Sequence, residues 1–215
     1  CSSDRLKDVM NIGDQPLANS LISNLSDENN VKRYPINIIR CEECTLLQLD
    51  YIVDQNKVYH PEYPYLPGIT KTVDNEQKDL ADYLFSALKL KNNDLVVDIG
   101  SNDGSLLKHF KAKGLQTVGV EPTNIAKIAN ENGIQTIQSF FNENAAENVI
   151  QKYKKAKMIT CTNVFAHMST LGDVMDGIVK LLDEDGYFFF ENHYIMKILE
   201  NVQYDNFYHE HLRIY

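Results

Sequence analysis

Three groupings of residues have the types and spacing to do chemistry. The first is Val96-Val-Asp-Ile-Gly-Ser-Asn-Asp-Gly104, followed by Val118-Gly-Val-Glu-Pro122. An apolar run that stops at a glycine-containing turn and reopens as a helix is a strand-loop-helix unit whose bare backbone can meet a ligand closely. An acidic residue closing the next strand is placed to accept both hydroxyls of a ribose. The second grouping is Cys41-Glu-Glu-Cys44, a spacing that suits a metal ion better than a disulfide framework in a chain of this length. The third is Tyr208-His-Glu-His211, a phenol, two imidazoles and a carboxylate in four consecutive residues. Such groups make a proton-abstracting base and its hydrogen-bond donors.

Which cofactor the first grouping suits follows from what its loop lacks. A dinucleotide fingerprint, G-x-G-x-x-G, needs a middle glycine so that backbone can approach a pyrophosphate. Here Gly100 and Gly104 enclose Ser101, Asn102 and Asp103, and Asn102 stands where that glycine would be. Acidic and amide side chains obstruct a diphosphate but suit the ammonium and sulfonium charges of S-adenosylmethionine, which puts this methyl donor ahead of NAD. On this reading Asp98, Gly100, Asn102 and Gly104 contact or shape the methionyl end and Glu121 holds the ribose. Phe140 or Phe141 meets the adenine edge, and Asn163 closes the pocket. One of two adjacent aromatics usually faces inward, so Phe140 and Phe141 are core candidates as well.

The elements that must position these groups come in two styles. The first part of the chain has weak strand signals and most of the prolines, while from Glu76 onward strands and helices alternate. A boundary near Val73 gives a small β-rich N-terminal module, residues 1–73, and a second domain, residues 74–215. The runs Tyr34 to Ile39 and Thr45 to Tyr51 flank the cysteine pair, which places it at a hairpin tip. Spacing predicts a helix from Glu76 to Leu90, then strands at 95–99, 117–120, 136–138, 158–162 and 187–191, with helices at 105–113, 125–132, 144–153 and 171–182. Strict alternation implies an α/β fold with a doubly wound, mostly parallel, Rossmann-like sheet. Ligands in such sheets sit beyond the carboxyl ends of the strands.

Composition narrows the partners. The chain has 215 residues, 21 Lys and Arg against 30 Asp and Glu, and a net charge of −9. With no basic block, nucleic acid and anionic membrane surfaces are poor partners. No apolar run approaches the roughly 18 residues that span a bilayer. Four cysteines fit a reducing, cytoplasmic setting, and Cys161 reads as a core residue.

Taken together, Ile99-Gly-Ser-Asn-Asp-Gly104, Gly119-Val-Glu-Pro122, Asn163-Val-Phe-Ala-His167, Tyr208-His-Glu-His211 and Gln15-Pro-Leu-Ala-Asn19 resemble the sugar C-methyltransferases that act on nucleotide-linked keto-deoxysugars. The resemblance runs from Cys1 to Tyr215. It implies a class I S-adenosylmethionine-dependent methyltransferase domain preceded by a zinc-binding module, and a C-terminal domain beyond the His-Glu-His motif, so the chain reads as a piece cut at both ends. The family opens with two cysteines separated by two residues. Cys1 matches the second, which leaves Cys1, Cys41 and Cys44 as three of the four thiolates that a structural zinc takes and implies weak or lost zinc in this piece.

The resemblance also implies roles. The last histidine of the motif is the base, which is His211, assisted by Glu210, with Tyr208 contacting the keto oxygen and His167 as a further donor or base near the sugar. The stretch Tyr59-His-Pro-Glu-Tyr-Pro-Tyr65 carries an active-site tyrosine, with Tyr65 favoured over Tyr63. At Asn192 and His193 the family more often has an apolar residue and proline, so no role is carried over there. If residues 208–211 are extended, His209 and His211 share one face and Tyr208 and Glu210 the other; a bend would bring Glu210 against His211. Two other readings stay open: a methyltransferase acting on oxygen or nitrogen of a small metabolite, which needs no strong base, and a non-catalytic scaffold that keeps the cofactor pocket.

Overall fold

The computed structural model describes every residue except Ser2, Pro61 and Glu62. Strands β1 (Leu6–Pro16), β2 (Arg33–Cys41) and β3 (Leu47–Leu49) come first, followed by a single helical turn, α1 (Gln55–Val58). Next come α2 (Lys71–Ala87), β4 (Leu95–Ile99), α3 (Ser105–Lys111), β5 (Gln116–Glu121), α4 (Ile125–Glu131), β6 (Thr136–Gln138), α5 (Glu143–Lys152), β7 (Ala156–Thr162), α6 (Leu171–Leu181) and β8 (Leu182–Glu191). Helix α7 (Ile195–Glu200) and β9 (Arg213–Ile214) end the chain. No helix among the described residues is long and apolar enough to cross a membrane.

The chain forms two compact units that interleave in sequence. The first takes Cys1–His60, Phe165–Ser169 and Asn192–Tyr215; the second takes Pro61–Val164 and Thr170–Glu191. A single cut near Val73 therefore does not describe the contacts, because two segments downstream of β7 and β8 join the N-terminal strands. What draws them in is apolar: Ile198, Phe207, Leu212 and Ile214 bury with Ile36, Ile38 and Leu49 in one core.

In the first unit the sheet order is β1-β2-β3-β9. β2 and β3 form the expected hairpin, and Cys41 and Cys44 lie at its tip, where Thr45 N–H closes on Cys41 O at 3.1 Å. β1 was not expected from the pattern. It pairs antiparallel with β2 through two irregularities, at Asp8/Met10 and Asn11/Gly13, and most of its side chains are exposed.

In the second unit the sheet order is β6-β5-β4-β7-β8, and every pairing is parallel. The strand order reverses beside β4, so the crevice between the carboxyl ends of β4 and β7 is the place where such a sheet takes ligands. Leu95 to Ile99 is buried along its whole length, as a central parallel strand covered on both faces must be. Helices α2 and α3 cover one side with Ala81, Leu84, Leu106, Leu107 and Phe110. Helix α2 begins five residues before the expected Glu76, because Asp74 in its first turn pairs with Lys108 and His109 of α3. It ends before Leu90 because Lys89 turns left-handed, with φ of 52°.

Candidate active site

The loop after β4 is built from unusual backbone. Gly100 has φ of 71°, Asn102 49° and Gly104 76°, a region in which most side chains are strained and Asn is tolerated. At Gly100 a Cβ would also stand 2.6 Å from Val164 Cγ2. Gly100→Ala is expected to lower unfolding stability by about 2–4 kcal/mol, from backbone strain plus overpacking. Urea titration checks it, and an unchanged midpoint would show that Val164 yields without cost.

Glu121, at the end of β5 and nearly buried, organises this loop from below. Its Oε1 accepts from Thr123 N at 2.9 Å and Thr123 Oγ1 at 2.7 Å, and its Oε2 accepts from Asn102 N at 3.1 Å. A carboxylate offers about four acceptor positions, so capacity remains for a hydroxyl ligand. Asp98, on β4 and 3% exposed, accepts from Thr160 Oγ1 of β7 at 2.7 Å. Burial, opposed by the Thr160 hydrogen bond and reinforced by the Glu121 charge, pushes the Asp98 carboxyl up to about 7.

The two phenylalanines part company. Phe141 is buried against Gly177 of α6, whereas Phe140 is 40% exposed. Only Phe140 is available to a ligand in this structure. Asn163, left-handed at φ of 55°, is held by Glu191 at the end of β8 through Nδ2 to Oε1 at 2.8 Å. Cys161 is buried in β7. Tyr65 has an exposed side chain in the second unit; its sequence neighbours Pro61 and Glu62 lie outside the described residues.

The first unit gathers the histidines. Residues 208–211 are not extended: His211 N–H bonds to Tyr208 O at 3.0 Å, which curls the segment into a turn between two core anchors, Phe207 and Leu212. The alternation expected for an extended segment therefore fails. His209 turns away to the β2 side, its ring edge-on to Tyr34 at 6.0 Å and its Nε2 donating to Tyr34 O at 3.1 Å. It is 1% exposed, and burial lowers its pKa. His209 is a structural residue. Glu210 is also buried, and its Oε1 accepts from Asn19 Nδ2 at 2.6 Å, which explains why the Gln15–Asn19 segment matters.

His211 lies among aromatic rings: Tyr208 at 4.2 Å, His193 at 4.2 Å and His167 at 5.1 Å between centroids. Its Nδ1 is 2.8 Å from Asn206 O. A carbonyl oxygen only accepts, so Nδ1 carries the proton and Nε2 keeps its lone pair. Burial, opposed by the Asn206 carbonyl and aided by His193, lowers the His211 pKa to about 4. His167 Nδ1 is 2.7 Å from Tyr59 Oη; burial first, then the neighbouring His211 and His193, bring its pKa to about 3. Both imidazoles are neutral at pH 7. The sequence reading gave no role to Tyr59, His193 or Asn206; Tyr59 lay within the aromatic stretch and His193 at a departure from the family already noted, while the Asn206 carbonyl leaves no trace in sequence.

At the hairpin tip the Sγ atoms of Cys1, Cys41 and Cys44 lie within 4.8 Å of one another, with Cys1 and Cys41 at 3.8 Å. Tetrahedral zinc with bonds of about 2.3 Å separates its sulfurs by about 3.8 Å, so the three thiols fit three corners of such a site. The backbone N–H of Cys44 is the largest influence holding the Cys41 thiol below its usual pKa, which favours the thiolate that binds metal. Cys41→Ser in the intact protein is expected to abolish stoichiometric zinc and lower the thermal midpoint; metal analysis beside calorimetry checks both.

Residues 72–215 match the family model described as "Methyltransferase domain", and residues 1–59 match one described as "Putative zinc binding domain". The C-methyltransferase NovU of Streptomyces niveus is 31% identical over 212 residues, which make up 98% of this chain and 50% of that protein. The chain thus spans about half the length of this curated relative. Among solved structures, the plantazolicin methyltransferase BamL, in complex with a triazolic desmethylPZN analog and SAH, aligns with a TM-score of 0.53 and 19% identity over 69% of this chain and 58% of that one. That likeness bears on the fold. With the parallel sheet, the left-handed loop over Glu121 and a family match that runs from residue 72 to residue 215, the chain belongs to the methyltransferase-domain family.

Proposed function

We propose that this chain is the catalytic part of an S-adenosylmethionine-dependent C-methyltransferase whose substrate is a nucleotide-linked keto-deoxysugar, methylated at a carbon α to the ketone. The observation that carries the reading is His211: buried, neutral, with Nδ1 committed to Asn206 O and Nε2 left as a base. Transfer to oxygen or nitrogen starts from a lone pair that the atom already carries, whereas transfer to carbon does not, because the carbon must first lose a proton to become nucleophilic. The similarity to a C-methyltransferase supports the same choice.

Glu121 accepts a ribose hydroxyl, Phe140 meets the adenine edge, and Gly100, Asn102 and Gly104 let the backbone approach the methionyl end. Asp98 at the switch point would regain its charge beside an ammonium or sulfonium group, since an opposite charge offsets the burial that raises its pKa. The bound cofactor supplies an electrophilic methyl whose departure leaves the sulfur neutral. His211 Nε2 takes the α-proton, the C–H electron pair becomes the enolate double bond, and charge moves to the keto oxygen. Tyr208 Oη or His167 donates to that oxygen, with Tyr59 Oη fixing the His167 ring. Tyr65 is the tyrosine assigned to the sugar. The zinc site, completed by a fourth ligand, braces the hairpin and takes no part in the chemistry.

The deciding experiment incubates the full-length protein and S-adenosylmethionine with a panel of nucleotide-linked 4-keto and 3-keto deoxysugars and follows a methyl group bonded to carbon by NMR. Methylation confined to oxygen or nitrogen would overturn the assignment.

A further inference from the structure

The segment Tyr65–Gly68 and the cofactor loop belong to the same compact unit, and two hydrogen bonds clasp them. Asn102 Nδ2 donates to Tyr65 O at 2.9 Å, and Gly68 N donates to Asp103 Oδ2 at 3.1 Å. The approach is close: a Cβ on Gly68 would overlap Asp103 Oδ2, so a larger residue there would push that carboxylate aside. Asp103 is committed on its other oxygen too, since Oδ1 accepts from Ser105 N at the start of α3 at 3.1 Å. Neither loop residue is thus a spare polar side chain aimed at solvent.

Asn102 is the pivot. Its left-handed backbone sends the N–H to Glu121 Oε2 at 3.1 Å, while the side-chain amide of the same residue holds the Tyr65 carbonyl. One residue therefore joins the carboxylate read above as the ribose acceptor to the backbone of the tyrosine assigned to the sugar. The amide is used for this clasp, which leaves backbone shape as the part of Asn102 that serves the methionyl end.

We propose that Asn102 is a positioning residue for Tyr65: it ties the Tyr65–Gly68 segment to the cofactor loop, so that a filled Glu121 site and a placed Tyr65 go together. The inference rests on the functional reading above for what Tyr65 and Glu121 do, but the clasp is independent of it. Asp103 supports the same segment from its second anchor point and keeps α3 in register with it.

The test exploits the left-handed backbone. Asn102→Gly keeps positive φ accessible and removes only the amide, and Asn102→Asp keeps the shape but turns a donor into an acceptor facing Tyr65 O. In the full-length protein, hydrogen exchange of the amides of Leu66, Gly68, Ile69 and Thr70 is measured with and without S-adenosylhomocysteine. Wild type should show slow exchange that slows further on binding; both variants should exchange about tenfold faster and lose the ligand response. S-adenosylhomocysteine affinity should fall in Asn102→Gly by no more than the few-fold that the lost coupling carries, kcat should fall about tenfold or more, and this loss should not add to that of Tyr65→Phe. Wild-type exchange in Asn102→Gly, an unchanged kcat, or a loss that adds fully to Tyr65→Phe would each overturn the proposal. Failure of the functional reading looks different: no methylation and no ligand binding in wild type, with the exchange difference between wild type and variant still present in the free protein.

Discussion

In the full-length protein His211→Ala should cut carbon methylation by about 10³-fold, within the range for loss of a positioned general base. Affinity for S-adenosylhomocysteine should stay close to wild type, because the partners of the imidazole, Asn206, Tyr208, His193 and His167, are none of the residues read as holding the cofactor. The step to watch is exchange of the substrate's α-proton with deuterated water, followed by NMR without methyl donor. If the variant exchanges at the wild-type rate, the base is another group. A pH profile adds a second reading. Only neutral imidazole accepts a proton, and with the His211 pKa lowered to about 4 by burial, that form persists throughout the physiological range. The acid limb of kcat/KM, which reports the free enzyme, should therefore lie near 4, falling as pH drops, rather than near the ordinary histidine value of about 6.5. Tyr208, Glu210, His193 and His167 are the titratable groups nearest that ring in sequence or by ring contact.

Glu121→Ala should weaken S-adenosylhomocysteine binding by about 10²-fold or more. A charge-assisted hydrogen bond to the ribose, of about 1.5–3 kcal/mol, is lost. The loop loses support as well, since Thr123 N and Asn102 N are left without the carboxylate that receives them. Glu121→Gln separates the two effects. The amide retains one acceptor oxygen and the side-chain volume, so the loop should be partly kept while ribose recognition suffers, and its affinity should fall between wild type and alanine. Isothermal titration calorimetry measures all three proteins. Equal affinities would mean that the carboxylate serves only the loop.

The strands and helices of the methyltransferase half were legible because their signals are local. Leu95–Ile99, Thr136–Gln138 and the alternation around them are short-range hydrophobic patterns, and only their ends shifted. The strand Leu6–Pro16 was missed for the opposite reason. Asp8, Asn11, Gly13 and Asp14 give it little propensity, most of its side chains stay exposed, and pairing with β2 is what makes it a strand. Phe140 and Phe141 could not be separated in sequence, because which ring turns inward depends on where Gly177 of α6 leaves room.

By itself, then, the sequence supplied the parts: a glycine-containing loop with Glu121 closing the next strand, a thiol pair on a hairpin, and candidate acid-base groups at Tyr208, His209, Glu210 and His211. These follow from residue type and short spacing, which a chain carries whether folded or not. Only the tertiary structure separated the surroundings of the two histidines. His209 and His211 have the same chemistry and sit two residues apart; the turn closed by Tyr208 O sends one to the Tyr34 carbonyl and the other to Asn206 O and the rings of His193 and His167. Likewise Asn19 meets Glu210 and Tyr59 meets His167 across long stretches of chain. Such partnerships are made by burial and packing between segments remote in sequence, and no local pattern encodes them.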